Sequence, residues 1–194
     1  MMGMVRHRHA LPFNNVFQVK KPIMDDSRLA RYLGYAFSQA VHLQHVLAPE
    51  ELTVPYVVYW DHEVPTPVPY PATTQAEAVE HARAARAQHR EGTGWSSGRE
   101  GWLDLGNGTK AEVLLIEGWV PGLEAPLEMF VYYRREPFRL VQGFLWKDHP
   151  QARQDRAAFA AEFKRGILMQ PFGEQCLQCV EQAEPFGDGS TGSR

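Results

Sequence analysis

Cysteine is nearly missing from this chain: two of 194 residues, Cys176 and Cys179. Two thiols cannot build the multi-bridge framework of small secreted domains, so a disulfide scaffold is excluded. Lysine is also sparse, 5 against 15 arginines in a total of 20 cations, a bias that fits a GC-rich bacterial genome. Net charge is −3, so the positive footprint of a nucleic-acid or anionic-membrane binder is missing. No run approaches the roughly 20 apolar residues that cross a bilayer. The opening MMGMVRHRHALPFNN is basic with no apolar segment behind it and does not read as a signal peptide. Three Met in the first four residues leave the start position open. A soluble cytoplasmic protein is expected, without nucleic acid, membrane or cofactor.

What is present suits one globular domain with a sizeable core: 44% hydrophobic and 22% charged residues. Residues 1–24 read as a partly disordered arm, although Phe13, Val16, Phe17 and Val19 could dock as a short strand. The stretch DDSRLARYLGYAFSQAVHLQHVLAPEE predicts a helix, capped at Asp26 or Ser27 and stopped at Pro49. Leu29, Leu33, Phe37, Ala40 and Val41 form its apolar stripe. LTVPYVVYWDHE predicts a strand, starting at Tyr56 or placed at an edge because of Pro55. The proline-rich VPTPVPYP reads as a stiff extended connector. Thr74 and Glu77 form a capping box for an alanine-rich helix stopped at Gly92. EGTGWSSGREG reads as a glycine-rich loop. Beyond it, WLDL, AEVLLIEGWV, LEMFVYYRRE and FRLVQGFLWKD predict an antiparallel meander over 102–148, with tight turns at Asn107-Gly108 and Glu136-Pro137. Phe159, Phe163 and Ile167 recur at i, i+4, i+8 on a third helix expected to lie on that meander.

The fold class that follows is α+β: a single domain over 25–172, with an antiparallel meander of about five strands covered by two or three helices. A short cysteine-bearing segment, 173–183, and a disordered tail, 184–194, complete the chain. The order strand, helix, hairpin, meander, helix from Leu52 to Leu168 resembles the PsbP-like α/β/α sandwich. That resemblance implies a binding or accessory role rather than a named reaction, and the helix at 26–47 is an addition to its pattern.

Several stretches invite a chemical reading. GWSSG at 94–98 matches G-x-S-x-G with Ser96 as nucleophile, and His149 is the histidine that could serve it. That chemistry needs a sharp strand-to-helix turn, whereas here a helix precedes and a hairpin strand follows. Asp61, His62 and Glu63 have the residue types of a Zn or Fe site, but alternation sends His62 to the opposite face from its neighbours. His42 and His45 are expected to face solvent. Arg83, Arg86 and Arg90 are explained by the dipole at a helix C-terminus. Arg134, Arg135 and Arg139 flank a turn and could bind an acidic partner. Trp95, between glycines, reads as an exposed contact residue.

The strand pattern carries the main functional signal. Val113, Leu115 and Trp119 alternate with Leu114, Ile116 and Val120, so both faces of that strand need cover. Surplus aromatic surface left uncovered would be a partner site. The expected function is therefore a non-enzymatic binding protein of accessory, escort or inhibitor type. Its candidate binding residues are Trp95, Trp119, Arg134, Arg135 and Arg139, and its partner another protein or a second copy meeting the sheet face. The alternative is a small hydrolase using Ser96, or a metal-dependent enzyme using Asp61, His62 and Glu63. Cys176, Cys179 and Val180 fall on one side of a short helix, which suits packing; a metal or redox pair is the other reading.

Overall fold

The computed structural model describes residues 26–48, 50–61, 64–89, 92–106, 108–146 and 156–185. His62, Glu63, Arg90, Asn107, Asp148 and His149 lie outside them, as do the N-terminal arm and most of the tail. The described residues form four helices and one six-stranded antiparallel sheet, an α+β arrangement. In chain order these are α1 (Asp26–Val46), β1 (Tyr56–Tyr59), β2 (Pro67–Pro69), α2 (Gln75–Gln88), β3 (Trp95–Asp104) and β4 (Lys110–Trp119). They continue as β5 (Leu127–Arg134), β6 (Arg139–Trp146), α3 (Arg156–Leu168) and α4 (Gly173–Glu181). The sheet order is β2-β1-β3-β4-β5-β6. β3 to β6 are the meander that alternation and short turns dictate.

Two stretches expected to be connectors are strands. GWSSG opens β3, because Trp95–Gly98 pairs with β1 on one side and with the end of β4 on the other. Its small residues make room for large neighbours. A methyl group on Gly98 would strike the Tyr56 ring, which crosses β3 so that its hydroxyl donates to the Ala36 carbonyl at 2.5 Å. Pro67–Pro69 pairs with β1 as the edge strand β2. Proline suits that place, since its missing N–H leaves fewer open donors on the rim.

Helix α1 lies across the sheet and is buried nearly all round, beyond the single stripe its spacing predicts. Leu29, Leu33, Phe37 and Ala40 meet Leu114, Ile116, Met129 and Val131 from the sheet. Helix α3 does not lie on the meander, because α1 already occupies that face; α3 packs on the outer side of α1, with Phe163 against Phe37. The two helices touch through glycine. A methyl group on Gly34 would overlap the Phe163 carbonyl, and one on Gly166 the Arg31 carbonyl. Helix α4 rests on α3, α1 and β6, and the Glu184 N–H donates to the Leu140 carbonyl at 2.9 Å. Helix α2 covers the other sheet face at its β1 end, through the buried Ala78 and Ala82.

The core holds groups that stay protonated. Burial first pushes the Tyr56 hydroxyl well above its ordinary value of 10. Burial, then the hydrogen bond to Glu100, raises Tyr133. Burial pushes the Cys176 thiol from 9 up to about 12. In each case the folded state holds its proton where the unfolded chain loses it. The stability so gained is fully present below the unfolded values and is lost as pH climbs from there through the folded ones. Unfolding free energy should be flat to about pH 9, then fall by about 1.4 kcal/mol per pH unit for each such group. Guanidinium unfolding between about pH 8 and pH 11 measures this, and an unchanged free energy at the top of that range would contradict it.

Candidate binding site

A cleft of about 350 Å³ opens on the α2 side of the sheet. Its floor is the cross-strand pair Trp95 and Trp119, brought opposite by the β3–β4 register. One wall is the C-terminal half of α2, with Arg83, Arg86 and Ala87. The other is the β4–β5 connection, with Leu123, Glu124 and Pro126. That connection is fixed by a turn in which Leu123 N–H donates to the Val120 carbonyl at 3.1 Å. Pro121 and Gly122 fill its central positions, and Gly122 takes φ of 99°, the positive value that a type II turn needs there.

Arg86 organises the cleft. It continues the Ala78–Ala82 stripe at i+4, so its side chain is carried under α2 rather than out to water. It donates to Ser97 Oγ at 2.9 Å and pairs closely with Glu117. Its guanidinium lies 4.7 Å from the Trp95 ring centroid, a cation–π contact strengthened by its desolvation. The dipole explanation for Arg86 is thus superseded by a buried ion pair. Trp95 is 5% exposed, so it is the floor of the cleft and not an exposed loop contact. Trp119 is only partly buried, and its indole N–H donates to the Leu123 carbonyl at 3.0 Å. With its polar atom satisfied within the chain, the apolar indole is what Trp119 offers the cleft.

The other sequence candidates are dispersed. Ser96 is 0% exposed, on the α1 side of β3, where it accepts from Trp60 Nε1 at 3.1 Å. A nucleophile elbow needs its serine lifted into the open, and a fully buried place in a paired strand beneath Trp60 is the reverse of that. Asp61 accepts from the Thr93 N–H at 2.9 Å and hydroxyl at 2.8 Å and pairs closely with His89. These contacts hold its carboxyl low against the opposing effect of desolvation. Among the described residues no three His, Cys, Asp or Glu side chains gather as a metal site.

The three turn arginines go three ways. Arg134 is exposed, 3.5 Å from Glu184. Arg135 folds back to Glu100 at 2.5 Å and Glu112 at 3.2 Å, so it belongs to an internal network. Arg139 lines a separate small pocket beside α4. His42 is half-buried rather than fully solvated, its ring stacked on Phe172 with centroids 3.8 Å apart.

No family model, curated protein or solved structure matches this chain. The site therefore rests on its own geometry.

Arg83, Arg86, Glu117, Leu123 and Pro126 are the cleft residues that spacing alone does not single out. Two signals point to them in retrospect. Arg86 sits in register with an alanine stripe, and Glu117 is the one carboxylate on a face otherwise made by Val113, Leu115 and Trp119. A charge on each of two buried faces is best explained by their pairing.

Proposed function

We propose that this protein is a non-enzymatic binding protein that captures a segment of a partner protein in the Trp95–Trp119 cleft. The observation that carries this reading is the partly open Trp119 ring beside Trp95 and the desolvated Arg86. Tryptophan and arginine in a well-packed setting are the residues that dominate binding energy at protein interfaces. The volume of about 350 Å³ lies at the low end of the roughly 300–1,000 Å³ of ligand pockets. It suits one or two apolar or aromatic side chains from a partner. The rim carries both signs, Arg83 against Glu124 and Glu128, which favours a segment that pairs an apolar anchor with flanking charges. The resemblance to an accessory-type sandwich points the same way.

A displayed library of random peptides, panned against the full chain, tests this. Enriched peptides should lose about 30-fold in affinity on Trp119→Ala, the equivalent of about 2 kcal/mol for a central tryptophan. Trp119→Phe should keep part of it, and Trp102→Ala, at a position 62% exposed at the far end of β3, should change nothing. A library that enriches no peptide, or peptides that bind wild type and Trp119→Ala equally, would sink the proposal.

A further inference from the structure

On the α1 side of the sheet, apart from the cleft and independent of it, α4 carries a second chemical feature. The two cysteines one helical turn apart have opposite surroundings. Cys176 is 1% exposed and belongs to the core. Cys179 is only partly buried and lines a pocket of about 180 Å³. Its Sγ lies 3.3 Å from Nε2 of His45, delivered by α1 from 134 positions earlier in the chain. Phe138 packs edge-on against the His45 ring at 4.7 Å, which fixes the imidazole over the sulfur. Arg139, Leu140, Gln175, Gln178 and Gln182 complete the lining.

Reactive cysteines occupy partly exposed, electropositive niches, whereas buried structural thiols are inert. By that division the pair holds one thiol of each kind. We infer that Cys179 and His45 form a thiol–imidazole pair that reacts with small hydroperoxides, with Cys176 as its unreactive structural neighbour. His45 Nε2 takes the thiol proton as the sulfur attacks one peroxide oxygen. The S–O bond forms as the O–O bond breaks, and the departing oxygen collects the proton from His45 and leaves as water or alcohol. Sulfur is oxidised by two electrons to a sulfenic acid, and the peroxide is reduced by the same two.

The charge setting agrees with a base-assisted step rather than a resting thiolate. Burial raises the Cys179 thiol, with Arg139 pulling the other way. Burial, and then the neighbouring His42, lowers His45, so it stands neutral with a lone pair to accept the proton. The groups that face this pair are His42 on α1, Arg139 on β6 and Cys176 on α4.

The test exposes the full chain to hydrogen peroxide, traps sulfenic acid with dimedone, and reads each cysteine by peptide mass. Cys179 should be trapped at least tenfold faster than Cys176, and His45→Ala should slow it about tenfold. A second measurement needs no variant. With His45 as base, the wild-type rate should change little between about pH 7 and pH 8, where an unassisted thiol gains nearly tenfold per pH unit. Equal trapping of both cysteines, no effect of His45→Ala in a folded variant, or a tenfold rise per pH unit would each overturn the inference.

Discussion

Gly166→Ala should cost the fold about 3 kcal/mol or more, the largest loss expected from a single added methyl group. Position 166 is where α3 crosses α1 with backbone against backbone. The new Cβ would fall inside contact distance of the Arg31 carbonyl oxygen and lie 2.9 Å from the Tyr35 nitrogen. Neither neighbour is a flexible side chain, so relief requires the helices to separate and Ile167, Phe163 and Phe37 to lose contact. Overpacking a filled core costs typically 1–3 kcal/mol, and more when backbone must move. Gly108→Ala is the contrast. It has open space around it but φ of 79°, so its cost should be about 1 kcal/mol. Thermal unfolding separates the two by several degrees, and a Gly166→Ala loss no larger than that of Gly108→Ala would show that the helices are not in backbone contact.

Glu100→Ala should cost about 3–5 kcal/mol. Glu100 is 5% exposed, yet four donors converge on its carboxylate. The Tyr133 hydroxyl donates at 2.7 Å, Arg135 at 2.5 Å and Gln44 at 3.5 Å, with the Thr53 N–H closer still. Truncation strands a buried hydroxyl, a buried backbone N–H and part of a guanidinium. Those desolvation costs, not the lost attraction, supply the effect. Arg135→Met alone leaves the buried Glu100 charge without its cation, so Glu100→Met combined with Arg135→Met, which removes both charges, should cost less than the sum of the two singles. Guanidinium midpoints of the two singles and the double measure the coupling. A loss under about 1 kcal/mol would mean that water reaches the site.

The network also explains why the internal pairing of Arg135 is not visible in the sequence. A turn arginine reads as solvated in sequence, and its partners come from positions 35 and 23 residues earlier. The meander was legible because short connections force neighbouring strands antiparallel and the period-two alternation of β5 fixes its faces. The Leu127, Met129, Val131, Tyr133 face follows from that alternation. GWSSG was not legible, since glycine and serine have little intrinsic strand preference. Their reason for being there lies in Tyr56, Trp60 and Arg86, each of which needs a small or hydroxyl residue beneath it.

The cleft was half legible for the same reason. Trp95 and Trp119 stood out singly as aromatic contacts. Only the β3 pairing, which the loop reading hid, places them opposite each other. A helical wheel sends His42 and His45 to solvent, and His45 is indeed exposed, whereas His42 is half-buried because the wheel knows nothing of a second helical layer. Phe172 covers the His42 ring.

The five tryptophans make the cleft directly observable. Each indole N–H gives one signal in a nitrogen–proton correlation spectrum, and that of Trp119 reports its bond to the Leu123 carbonyl in the cleft wall. Titration with an enriched peptide should move the Trp119 and Trp95 signals first and leave Trp102 in place. Movement confined to Trp102 or Trp60, with Trp119 and Trp95 still, would contradict binding in the Trp95–Trp119 cleft.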